Sequence, residues 1–192
     1  MVSANLVADP ALSRPAPLRS VPGPTRLRLA DLLHITDQTA DDVLSGRYDH
    51  VVPPGGVPTD DRWFARLHGD DEVDVWLISW VPGHRTELHD HGGSLGALTL
   101  LSGSLDEFRW DGERLRCKRI EAGDQASFPL GWVHDVVWAP AGPGTSLSGP
   151  QEPSLSVHAY SPPLTVMSYY ELNDRHRLRR KRTELTDQPE KS

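Results

Sequence analysis

Only one of the 192 residues is a cysteine, Cys117, so no internal disulfide can form and no thiolate-rich metal site can be assembled. Any metal must then be held by imidazole or carboxylate. No unbroken apolar run is long enough to span a bilayer, and the N-terminal residues show no basic start leading into an apolar stretch. Export and membrane insertion are therefore not expected, and the expected location is cytoplasmic. Positive charge is in deficit as well: 20 Lys and Arg stand against 27 Asp and Glu, a formal net charge of −7. That balance gives no general attraction to nucleic acid or to an anionic membrane surface. What stays open is chemistry on a small molecule.

Turn formers, by contrast, are plentiful. Seventeen Pro and 16 Gly, with six Trp among short apolar runs, suit a turn-rich β architecture better than a helical bundle. The length fits one domain. Residues 1–25, with Pro10, Pro15, Pro17, Pro22 and Pro24, read as a flexible leader, and 26–173 as the domain. Residues 174–192, which carry the basic run Arg175–Arg182, read as a charged, solvated, flexible tail. The spacing of Leu29, Leu32, Leu33 and Ile35, followed by Thr39, Val43 and Leu44, predicts two short helices packed outside a β-domain, stopped at Gly46.

Strands are expected at 63–67, 72–81, 95–101, 104–110, 114–120, 125–128, 134–138, 155–160 and 164–171, with Asp111-Gly112 as a two-residue hairpin turn. Within 72–81, Val73, Val75, Leu77 and Ser79 alternate with Asp74, Trp76, Ile78 and Trp80, one set on each face. Many short strands at regular spacing point to an all-β sandwich or small barrel.

The chemistry sits in the histidines. His89 and His91, at i and i+2, place both imidazoles on one face of an extended strand, within reach of one ion. Around them stand Gly83, Gly103 closing a hairpin, then Gly123, Pro129, Gly131 and His134. Glycine supplies the tight corners of a small barrel, and the second hairpin swings His134 across to complete a facial metal site. Over roughly residues 62–170 this pattern resembles the cupin superfamily, an all-β small barrel of the double-stranded β-helix or jelly-roll kind. Two departures stand out: Gly96 occupies the position of the usual ligand Glu, and Trp138 that of a frequent Asn. The remaining three-histidine set is neutral. Imidazoles alone do not choose among iron, zinc, copper and nickel.

The finer resemblance is to the cysteine dioxygenase (type I) family. It rests on Phe64-Ala65-Arg66, on His89-Asp90-His91, on His134, and on Ser156-Val157-His158-Ala159-Tyr160-Ser161-Pro162-Pro163. Ser156, His158 and Tyr160 alternate onto one strand face. The resemblance implies iron(II) on His89, His91 and His134, with O2 as co-substrate. It further implies Tyr160 beside the metal with His158 and Ser156 supporting it, and a cis peptide at Ser161-Pro162. Arg66 would bind the substrate carboxylate as a planar fork, with Arg62 as the competing residue.

Gly96 also stands where animal members of the family carry the cysteine that becomes linked to the active-site tyrosine, so a free Tyr160 is expected, as in bacterial members. Cys117 is expected to be a small core residue. The implied reaction adds both atoms of O2 to the sulfur of L-cysteine, giving cysteine sulfinate, in a monomer without nucleic-acid or membrane partners. The alternatives are a dioxygenase for 3-mercaptopropionate or another small thiol, and a non-catalytic cupin that binds a metal or ligand.

Overall fold

A computed structural model describes residues 27–140 and 151–189. The expected leader, 1–25, lies outside the described residues. The chain opens with one helix, α1 (Leu29–Leu44), and continues through eleven strands. These are β1 (Phe64–Gly69), β2 (Asp74–Trp80), β3 (His89–Asp90), β4 (Leu95–Ser102), β5 (Ser104–Trp110) and β6 (Leu115–Glu121). They are followed by β7 (Gln125–Phe128), β8 (His134–Ala139), β9 (Ser154–Ser161), β10 (Val166–Leu172) and β11 (Leu178–Leu185). Among the described residues no helix is long and apolar enough to cross a membrane.

Where two short helices were expected there is one. Leu32, Thr36 and Ala40 recur at four-residue spacing and form a single buried stripe, so the packing surface runs unbroken through the presumed gap. The backbone N–H of Arg28 donates to the Asp31 carboxylate at 2.7 Å and ties down the first turn. Gly46, at φ 85°, ends the helix as anticipated.

The strands form two antiparallel sheets, of order β1-β2-β9-β4-β7 and β11-β10-β3-β8-β5-β6. An interior cluster joins them, with Trp76, Ile78, Leu98 and Phe128 of the first sheet meeting Leu105 and Val136 of the second. A second cluster lies on the outer face of the first sheet, where Val75, Leu77, Ala97 and Val157 pack under Leu32 of α1. Both sets of alternating residues in β2 are therefore buried, and none of its seven residues reaches solvent. This is the cupin barrel with its helix outside.

Four local expectations are corrected. Gly103 does not close a hairpin; it turns the chain from β4 in one sheet to β5 in the other, at φ 77° and so close to Ser154 that a Cβ would collide. The β5–β6 loop is Gly112-Glu113, because Asp111 and Arg114 are already joined by a backbone hydrogen bond of 3.1 Å. Cys117 is exposed on β6, the edge strand of its sheet. The supposed tail is folded: β11 pairs along the whole of β10, from Val166 opposite Leu185 to Leu172 opposite Leu178.

Charge explains why such a basic stretch joins the sheet. Arg182 and Lys181 reach Glu87 at 2.7 and 3.1 Å, and Arg182 lies 3.8 Å over the Tyr169 ring. Arg182 first, then Lys181, outweighs the effect of burial and holds the Glu87 carboxyl below its ordinary pKa. A chain ending at Asp174 is expected to unfold at least about 4 °C lower, since 1 kcal/mol moves the midpoint by about 2–4 °C at this size. Thermal unfolding followed by circular dichroism checks this, and an unchanged midpoint would show that β11 contributes nothing.

Candidate metal centre

β3 is only two residues long, held between β8 and β10, and His89 lies opposite His134 on one side and Tyr169 on the other. His91 follows two residues on and shares the inward face. The candidate ligand atoms of His89, His91 and His134 all lie within 4.8 Å of one another, and all three side chains are buried. Their ring centroids form a near-equilateral triangle, 5.1, 4.9 and 5.2 Å on a side.

Hydrogen bonds orient two of the rings. His89 Nδ1 donates to the Glu87 carbonyl at 2.7 Å, which makes its Nε2 the acceptor nitrogen. His134 Nδ1 sits 3.3 Å from Glu107 Oε1, while its Nε2 is buried with no hydrogen-bond partner among the described residues. A buried ring nitrogen left without a partner, aimed among two other imidazoles, fits a metal ion, since an unsatisfied buried polar atom is otherwise costly.

The opposite wall comes from the first sheet. One row across it holds Asp74, Tyr160, Gly96 and Phe128 in register. The Tyr160 ring lies 4.9 Å from His91, and Phe128 lies 4.2 Å from His134 and 5.7 Å from His91. Tyr160 OH and His158 Nδ1 share a hydrogen bond of 3.2 Å, and one row further the Ser156 hydroxyl accepts from Trp80 Nε1 at 2.8 Å. The structure thus brings Ser156, His158 and Tyr160 onto one buried face behind the histidines, and Ser161-Pro162 is cis as the resemblance implied.

Gly96 acquires a steric meaning that its sequence pattern did not carry. A Cβ there would stand 2.8 Å from Phe128 and 3.4 Å from the Tyr160 ring. Phe128 fills the space in which a fourth side chain would have to grow.

Arg66 pairs in register with Trp76, one row from Tyr160, but it is not the unpaired buried charge that an inward arginine would otherwise be. Its guanidinium is half exposed and bonded to the buried Asp74 carboxylate. Arg62 stacks 4.0 Å above Trp80, at the level of the strand farther from Tyr160.

Two residues at the centre went unread in the sequence. Asp74 reads in the sequence only as a member of one of the two alternating sets of 72–81, without a role. Glu107, nearly inaccessible, accepts from His134 and from Trp132 Nε1 at 3.1 Å. Burial pulls its pKa upward, yet the His134 and Trp132 N–H groups and the Arg109 charge together outweigh it, leaving the carboxyl below its ordinary value. Alternation alone does not reveal it, because Glu107 shares its face with Leu105 and Arg109 while Phe108 and Trp110 lie on the other.

Facing antiparallel sheets that enclose three buried imidazoles give a cupin-type barrel with a candidate metal site at its centre. Residues 59–136 match the family model described as cysteine dioxygenase type I, a span that includes all three histidines. Among curated proteins, human cysteine dioxygenase type 1 is 24% identical over 116 residues, covering 57% of this chain and 54% of that one. The Danio rerio cysteine dioxygenase type 1 is 28% identical over 99 residues, covering 50% and 48%. The resemblance to the cysteine dioxygenase family is thereby shown, and the chain spans about half the length of the curated relatives it matches. A solved Klebsiella pneumoniae protein with a double-stranded β-helix domain is 23% identical with a TM-score of 0.44, over 59% of this chain and 85% of that one.

His134→Ala is expected to abolish retention of a loaded divalent metal after desalting, measured as metal content per folded chain. Gly96→Glu is expected to destabilise the fold by about 1–3 kcal/mol in denaturant titration, as overpacking does, without tightening metal binding. Tighter binding would show that Phe128 gives way easily.

Proposed function

We propose that this protein is an iron(II)-dependent thiol dioxygenase, with L-cysteine as substrate and cysteine sulfinate as product. The observation that carries this reading is the row of Tyr160, hydrogen-bonded to His158, set against three buried imidazoles, in a chain whose central span matches the cysteine dioxygenase model. The overall conversion is thiol plus O2 to sulfinic acid. It balances without a further reductant, because sulfur gives up the four electrons that dioxygen takes.

His89, His91 and His134 would hold the metal. Bound there, iron(II) would supply the redox partner for dioxygen and lower the pKa of a coordinated thiol. The rest is the work of side chains. Phe128 lies against His134 and presents an apolar ring on that side of the centre. The Tyr160 hydroxyl, fixed by His158, is a directed polar group on the pocket wall, able to orient a substrate or oxygen atom beside His91.

Arg66 is the residue for the substrate carboxylate. The register favours it over Arg62: it is one row from Tyr160, whereas Arg62 lies over Trp80, three rows along β2. Because Asp74 already neutralises Arg66, a bound carboxylate must share or displace that partner. Cysteine and 3-mercaptopropionate share that carboxylate and differ in the amine, so the choice between them is an experimental one.

The decisive measurement is oxygen consumption by iron(II)-loaded protein with L-cysteine, 3-mercaptopropionate and cysteamine side by side. No uptake with any thiol, from protein shown to contain iron, would overturn the dioxygenase reading in favour of a non-catalytic cupin. A preference for 3-mercaptopropionate would overturn only the substrate. Arg66→Ala is expected to lower kcat/KM for cysteine by about 10–100-fold, the scale of a lost charge-assisted hydrogen bond of roughly 1.5–3 kcal/mol, mostly through KM. If Arg62→Ala produces that effect and Arg66→Ala does not, the carboxylate site lies at Arg62. Metal loading is expected to weaken as the solution is acidified, because a protonated imidazole cannot bind the ion, and metal content against pH checks this.

A further inference from the structure

Glu107 stands on the inward face of β5, opposite Val136 and two residues from Leu105, both of them in the apolar interior. A carboxylate there is costly unless N–H donors compensate it. Both of its recorded donors reach the same oxygen, Oε1: Trp132 Nε1 at 3.1 Å and His134 Nδ1 at 3.3 Å. Trp132 is itself covered by Arg109, whose guanidinium lies 5.0 Å from the ring and whose backbone pairs with His134. The arrangement ends at one ring nitrogen, His134 Nε2, buried and without a hydrogen-bond partner among the described residues.

We propose that Glu107 is a positioning residue that holds His134 as an Nδ1–H imidazole with Nε2 towards the metal, and returns to the centre, at one remove, the negative charge its three ligands lack. A carboxylate only accepts, so the ring nitrogen facing it must carry the proton. Partners of this kind fix ring orientation and raise the basicity of the ligand. A serine or asparagine would satisfy Trp132 equally well; neither would bring charge. The inference rests on reading the three histidines as a metal site and is independent of what the bound metal does to thiols.

The test uses the full chain under anaerobic conditions. Iron(II) affinity is measured by competition with a chromogenic chelator for wild type, Glu107→Gln, Glu107→Ala and Trp132→Phe. Glu107→Gln, which keeps shape and an acceptor but not charge, is expected to weaken iron binding about 10–100-fold, the usual scale for such partners. Trp132→Phe, which removes the other donor and leaves the carboxylate, is expected to change it less than about threefold. Retention by folded Glu107→Gln within about twofold of wild type would overturn the proposal and leave Glu107 as a packing residue.

A second measurement needs no variant. Nitrogen-15 NMR of the zinc-loaded wild type is expected to show His134 protonated at Nδ1. A proton on Nε2 would overturn the proposal whatever the variants do. Neither measurement involves oxygen or a thiol, so failure here and failure of the dioxygenase reading are separate results.

Discussion

Three imidazoles that converge within about 5 Å can share one ion only if each turns a proton-free nitrogen towards it. From that constraint much of the molecule follows. Each ring must be told which nitrogen keeps its proton, and the surroundings must supply acceptors at the right places. The Glu87 carbonyl does so for His89, and Glu107 does so for His134. The two-stranded frame around β3 serves the same end. A strand of two residues cannot order itself, so β8 and β10 hold it, and the β10–β11 pair in turn ties down Glu87 through Arg182 and Lys181. What reads as a remote basic stretch is connected to the centre in two steps.

Most of the strands were legible because alternation and turn residues are local signals. β2 shows this clearly: its two interleaved apolar sets, read as two faces, prove to be the barrel interior and the bed of α1. The failures share a cause of the opposite kind. Whether Gly103 closes a hairpin or changes sheets depends on which partner strand comes next in space, and no neighbouring residue reports that. The basic run reads as a solvated end because its charge partner, Glu87, lies far off in sequence. Cys117 looked like a core residue because its strand was legible but its position at the sheet edge was not.

The site divides in the same way. The ligands and the Tyr160 run follow from spacing, which is a property of the chain. Glu107 and Asp74 do not, since their significance is diagonal or cross-strand: Glu107 meets His134 across β5 and β8, and Asp74 meets Arg66 across β1 and β2. Each alters a reading of charge. The centre described as neutral has a carboxylate directly behind one ligand, and the arginine offered to the substrate already has a counter-ion. Electrostatics was the part of the site least visible in one dimension.

Phe128 and Gly96 occupy one row, and each presupposes the other. In a chain built this way, a side chain at position 96 forces Phe128 to move, and shrinking Phe128 alone opens a cavity, so a fourth ligand or a cysteine beside Tyr160 comes at a cost in stability by either single substitution. The two changes are separately harmful and tolerable only together, which is the signature of strong coupling between contacting sites. The three-histidine state is for this reason a local trap in sequence space, and lineages that share the pair would be expected to keep it or to change both at once.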